Sequence, residues 1–219
     1  MDFGEALTFP LRDKDWFTKI LIQSALLAIP VLGAFLLAGW ALAVCRGAVR
    51  GKTSALPALS FRRHLADGAA AMGILAVGAL PFLLAVAAGG ISGAAWEAAH
   101  EDAAGAIELY WWGVECLGLI LALAGAVWAT AAIGFLADTG SFRSALDIRR
   151  VFPAIRSAPA AFLLAVLAWI PLGLLAASGT AVCCLGAFFT IAYASASANH
   201  LAGQAYALAA AKRTGPTDA

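Results

Sequence analysis

The chain has 219 residues, 63% of them apolar and 12% charged, with a mean hydropathy of +0.88. Soluble domains carry roughly 45–50% apolar and about 25% charged residues, so this composition excludes a water-soluble globular protein and predicts an integral membrane protein. The net charge of +1 argues neither way about nucleic acid, and no nucleic-acid partner is expected.

A helix needs about 20 mainly apolar residues to cross a bilayer. Such material lies at 16–45, 68–88, 109–137, 158–178 and 180–208, and the alternating strands of a membrane barrel do not occur. The expected fold is all-α: one polytopic bundle of membrane helices with interfacial amphipathic helices.

The opening residues carry Asp2 and Glu5 and no basic region followed by a cleavable apolar run, so no signal peptide is expected there. Phe3, Leu7, Phe9 and Leu11 alternate with polar residues, which predicts an interfacial segment over 1–15. The apolar run that follows is broken at Ile29-Pro30-Val31-Leu32-Gly33. It reads either as one tilted helix kinked at Pro30 or as a hairpin of 16–29 and 31–46. The hairpin is preferred because it leaves Arg12, Lys14 and Lys19 on the side of the other cations. Its arms would span only about 20–24 Å of a ~30 Å core, with Lys19 snorkelling. This reading gives six membrane helices; the kinked reading gives five.

A basic linker with Arg46, Arg50, Lys52, Arg62 and Arg63 leads to Ser60, which can cap the next helix, 66–88. That helix contains Pro81 and the small residues Gly68, Gly73 and Gly78, which permit close helix approach. Segment 89–108 has no Lys or Arg but carries Glu97, Glu101, Asp102 and Glu108, so it is expected outside. Gly89-Gly90 should open it, with a short amphipathic helix near Trp96 to Ile107 and an interfacial belt at Tyr110-Trp111-Trp112. Helix 109–137 holds Glu115 and a small-residue face of Gly118, Ala122, Gly125, Ala129 and Ala132. Segment 141–157 predicts a second interfacial helix, with Phe142, Ile148 and Phe152 opposite Arg143, Arg149 and Arg150. Those arginines should hold anionic inner-leaflet lipid at about 1 kcal/mol per charge. Helix 158–178 carries Ile170-Pro171, a turn at Ser178-Gly179 leads into helix 180–208, and 209–219 is a short tail. The basic clusters place both termini on the cytoplasmic side of a cell (inner) membrane crossed several times.

Asp2 to Leu7 and Ser141 to Leu146 share Phe-x-x-Ala-Leu, each ahead of an apolar run interrupted by Ile-Pro. A duplicated pair of broken helices would point to a transport site. Chance recurrence in so biased a composition is the weightier explanation.

In the last helix Tyr193, Ser197, His200 and Gln204 share one stripe, extended upstream by Thr190. A polar stripe in lipid must face protein, water or a ligand. It could bind a ligand or relay a proton. The heavier reading is hydrogen bonding across helix contacts, worth ~0.6–2 kcal/mol. Glu115, about 9 Å below the outer interface, could gate a cation or simply face outer water; it is not expected to touch His200. Cys45, Cys116, Cys183 and Cys184 lack metal-ligand spacing, so no metal site is expected. His64 and His100 fall at opposite surfaces, so a haem would lack its second ligand and no cofactor is expected. No Ser/His/Asp order, carboxylate pair, phosphate-cradling loop or HExxH occurs, and no catalytic residue is expected.

Three stretches carry a resemblance: Asp2 to Pro10 with Asp13, Asp15 and Trp16; Ile29-Pro30-Val31-Leu32-Gly33 with Gly39; and Gly186 to Thr190 leading to Asn199-His200-Leu201-Ala202-Gly203-Gln204-Ala205-Tyr206. Through them the chain resembles the domain-of-unknown-function 4013 family of prokaryotic integral membrane proteins. It departs from that family at 53–60, which lacks an acidic and tryptophan-rich stretch. The resemblance implies a multi-helix inner-membrane protein and no activity. The expected role is a non-enzymatic scaffold or accessory subunit that packs with lipid and with another membrane protein or further copies of itself. The alternative is a carrier or channel-like protein for a small or lipidic substrate that uses the polar stripe. An intramembrane enzyme comes third.

Overall fold

Backbone groups in lipid must pair within the chain, and without strand alternation only helices achieve this. The computed structural model is 88% helix, with no strand among the described residues, which are 1–52, 55–99, 104–181 and 184–214. Asp2 caps a short helix, α1 (Phe3–Thr8), its carboxylate accepting the Glu5 N–H at 2.8 Å. One 3₁₀ turn (Phe9–Arg12) leads to α2 (Trp16–Leu27). The chain then breaks at residues 28–31, where Val31 takes φ 65°, a region that disfavours β-branched residues. Helix α3 (Leu32–Val49) follows.

One contact fixes how α2 and α3 are arranged. The Lys19 ammonium donates to the Leu56 carbonyl at 3.1 Å, beyond the far end of α3. In a continuous helix Lys19 and Val49 would stand about 45 Å apart. The chain therefore turns back on itself. At 12 residues, α2 reaches about 18 Å, short of the ~30 Å hydrocarbon core. Its lysine is ion-paired rather than stretched toward a headgroup.

Helix α4 (Phe61–Ala99) is 39 residues long and α5 (Ala104–Thr139) is 36, well beyond the expected 66–88 and 109–137. Gly89-Gly90 does not end α4. A Cβ on Gly89 would meet Val114 Cγ1 at 2.5 Å, so this glycine admits a neighbouring helix instead of making a turn. The separate amphipathic helix expected near 96–107 is replaced by the end of α4 and the start of α5. His100, Glu101 and Asp102 lie outside the described residues.

The predicted single helix over 141–157 is two, α6 (Phe142–Leu146) and α7 (Ile148–Ser157). Asp147 separates them and caps α7, accepting the Arg149 N–H at 3.0 Å. Helices α8 (Pro159–Leu167) and α9 (Trp169–Ser178) meet at Ala168, which keeps right-handed helical angles, so Ile170-Pro171 does not reverse the chain as 28–31 does. The two halves of the sequence echo thus end differently. The last helix is α10 (Cys184–Thr214).

Among the described residues, four stretches are long and apolar enough to cross a membrane: Leu32–Val49, Phe61–Ala94, Ala106–Thr139 and Pro159–Ala181. Helix α2 is apolar but shorter, and the expected span 180–208 includes residues outside the described ones. The bundle closes by backbone approach. A Cβ on Gly39 (α3) would stand 1.8 Å from the His64 carbonyl oxygen of α4, and one on Gly125 (α5) 2.0 Å from the Gly78 oxygen of α4. Small residues permit such contact where packing, not water, drives helix association. Among the described residues, α10 packs against α1–α3, α5 and α7–α9. The outward faces of α4 and α5 leave Leu80, Leu83, Leu84, Leu119 and Ile120 exposed, a surface suited to lipid.

Candidate functional site

Helical spacing sets Tyr193, Ser197, His200 and Gln204 on one side of α10, and the N-terminal segment covers that side. The Tyr193 hydroxyl donates to the Leu7 carbonyl. The His200 ring stacks on Phe9, centroids 4.4 Å apart and planes 13° apart. Gln204 uses both ends of its amide: Oε1 accepts the Asp2 N–H at 3.0 Å and Nε2 donates to Glu5 Oε2 at 3.3 Å. Upstream, Thr190 donates to the Ala176 carbonyl of α9 at 2.7 Å. The stripe is thus a seat for residues 2–9.

Beneath that cover, Ser197 and His200 are fully buried, as is Gln23 of α2. The Ser197 hydroxyl, both His200 nitrogens and both Gln23 amide atoms make no hydrogen bond among the described residues. Glu115 stands apart. It is exposed on α5, and since Gly134 of α5 abuts Tyr206 of α10, it lies roughly 20 Å along the bundle from His200. The structure gathers four of the five predicted residues and leaves the fifth alone.

Sequence reasoning passed over three features. Asp13 is buried and accepts three hydrogen bonds, from Lys19 Nζ at 2.7 Å, the Leu56 N–H at 2.7 Å and the Asp15 N–H at 2.8 Å. Burial pushes its pKa up, but the Lys19 ammonium and the two backbone donors outweigh that and hold the carboxyl below its ordinary 3.8. Trp40 Nε1 adds a bond to the Pro57 carbonyl at 3.3 Å, so the linker after α3 is fastened to α2 and α3. An acid six residues ahead of the lone lysine in an apolar helix was the available sign.

The second feature is a cavity of about 300 Å³ lying mainly among α3, α4, α5, α9 and α10. Its wall is mostly apolar, including Ala38, Met72 and Trp169, with Thr130, Ser195 and Asn199 as polar points. Asn199 Nδ2 donates to the Ser195 carbonyl at 3.0 Å. The cavity meets α10 on the side away from the stripe and reaches neither His200 nor Gln204. The i, i+4 pair Ser195 and Asn199 could have marked it.

The third is an open groove of about 760 Å³ lined by Pro81, Ile120, Trp128, Ile148 and Phe152 among others. Trp128 Nε1 is buried there with no hydrogen-bond partner among the described residues. Arg149 and Arg150 share α7 with Ile148 and Phe152.

Cys45 is buried and Cys116 exposed, both with free thiols; Cys183 lies outside the described residues. No cluster of three His, Cys, Asp or Glu side chains suited to a metal occurs among the described residues.

Among known proteins, a family model described as "Protein of unknown function (DUF4013)" matches residues 22–204. No curated protein and no solved structure matches the chain.

Proposed function

The chain belongs to the DUF4013 family, and from that premise we propose that it is a non-enzymatic membrane scaffold or accessory subunit. The observation that carries this reading is the seat on α10: the polar stripe is occupied by the chain's own first residues. The bonds of Tyr193 and Gln204 and the stack of Phe9 on His200 hold residues 2–9 over the stripe, and contacts of this kind between packed segments fix geometry. On this reading the basic ends of the helices lie at the cytoplasmic face of a cell membrane and hold both termini there. Arg143, Arg149 and Arg150 meet anionic inner-leaflet lipid, with Ile148 and Phe152 set among its chains. The exposed faces of α4 and α5 receive lipid, a membrane-protein partner or a further copy of the chain.

One observation favours a second reading, a carrier or channel-like protein for a small or lipidic substrate. The cavity behind the stripe has the apolar wall and few polar points of a small-molecule site. This moves the substrate from Tyr193 and His200 to Thr130, Ser195 and Asn199.

Single cysteines test both, in a background without the native four. Small polar thiol reagents should leave cysteine at Ser197 or His200 unlabelled while a surface cysteine reacts. Labelling at either would overturn the scaffold reading. An apolar maleimide that reacts at Ser195 and Asn199, and is blocked by added lipid, would establish the second reading in its place.

A further inference from the structure

The ends of α3 and α4 enclose a notch of about 370 Å³, lined by Arg46, Arg50, Lys52, Ser60, Arg63 and His64 among others. Its cations converge for a local reason. Gly51 takes φ 68° and turns the chain back over the last turn of α3, its N–H on the Ala48 carbonyl at 3.1 Å and the Lys52 N–H on the Gly47 carbonyl at 2.9 Å. This glycine C-cap occupies carbonyls that would otherwise face the notch with partial negative charge. It also carries Arg50 and Lys52 round toward Arg63 on α4.

The charge is unbalanced. Asp67 is the carboxylate beside the notch, and it is shared by Arg46 at 3.1 Å and Arg63 at 3.8 Å. Arg46 Nε is further held by the Ala137 carbonyl at 3.3 Å. Arg50 and Lys52 make no ion pair among the described residues. His64 is 4% exposed, and its Nδ1 accepts the Ser60 N–H at 3.4 Å. A neutral imidazole with an accepting Nδ1 carries its proton on Nε2, and His64 is part of the notch's lining.

We propose that this notch binds a phosphate group, that of an anionic lipid headgroup. Guanidinium groups and an ammonium converging on one concave space match phosphate oxygens, and a basic pocket between helix ends at the membrane surface is where such a headgroup lies. The site differs from the contact proposed for α7: it is concave, and its residues come from two helices and the linker between them. A free phosphorylated solute presents the same chemistry, and the test separates the two.

Native mass spectrometry of the full chain in detergent, titrated with phosphatidylglycerol, phosphatidylcholine or inorganic phosphate, reads binding directly. Phosphatidylglycerol should be retained and phosphatidylcholine lost. Removing one cation should weaken binding about fivefold, so Arg50→Gln with Lys52→Gln should weaken it about twentyfold or more. Arg50→Lys with Lys52→Arg should retain it. Arg149→Gln with Arg150→Gln, which removes equal charge from α7, should change the affinity of this site less than threefold. Equal losses in the two neutralised proteins would overturn the proposal, because the attraction would then be diffuse. Inorganic phosphate that binds with the same residue dependence and displaces the lipid would overturn the headgroup as source and leave a soluble phosphate compound as the ligand.

Discussion

Asp13 lies at the point where the N-terminal segment, α2 and the linker after α3 meet, and its charge is compensated from three directions. Removing one member of a buried pair strands the other and typically costs about 3–5 kcal/mol. Because Lys19 keeps some access to water, Asp13→Asn should lower stability by about 2–3 kcal/mol, read as a drop in unfolding temperature in detergent. The pH dependence has a definite sign. A carboxyl held below 3.8 when folded contributes stability in full above that value and loses it as pH falls through the lowered folded value. The native chain should weaken in that acid window, and Asp13→Asn should show a flatter profile. His200 behaves in the opposite way. Its buried nitrogens make no hydrogen bonds among the described residues, so His200→Phe, which keeps the ring against Phe9, should be neutral or stabilising. A large loss of stability would show that the imidazole has a polar role. Sequence alone placed His200 on its stripe. It could not show that Phe9 and Gln204's two partners come from the other end of the chain, because spacing along one helix says nothing of which segment covers it.

At the level of elements, the apolar runs located the helices but misjudged their ends. Gly89-Gly90 reads as a turn by local propensity, yet the α4–α5 contact runs through Gly89 and the helix continues. Asp147 was hidden for the reverse reason, an acid among arginines that looks like one amphipathic face until its carboxylate caps a new helix. The small-residue face on α5 was legible, since Gly125 does meet α4. Two substitutions of the same kind should have opposite signs. Gly39→Ala places its methyl 1.8 Å from a backbone oxygen, which cannot yield as a side chain would, and should cost at least about 1–3 kcal/mol. Gly173→Ala, in open space within α9, should stabilise by up to about 1 kcal/mol. Thermal unfolding of the two purified proteins decides it.

For the whole molecule, composition and the absence of strand alternation identified an all-helical chain with membrane-long segments. The turn at 28–31 was legible from one proline and the side on which the nearby cations fall. The short length of α2 and the cavity beside α10 were not legible, because both depend on how helices tilt and where their smallest side chains coincide. Removing residues 2–9 from the chain should make a cysteine at His200 reactive to polar reagents while leaving the rest of the bundle folded. Unchanged silence would show that other helices close the stripe.

The bond from Asp2 to Gln204 joins positions 202 apart, and this sets an order for synthesis. Tyr193 and Gln204 are made long after Asp2, Glu5 and Leu7, so the bonds that seat residues 2–9 form only once α10 has been made, although Phe9 can already pack on Ile20, Leu37 and Trp40. A chain arrested before Tyr193 would leave residues 2–9 without these bonds and the Phe9 ring without its stack on His200. The fold thereby ties the seating of residues 2–9 to the completion of α10.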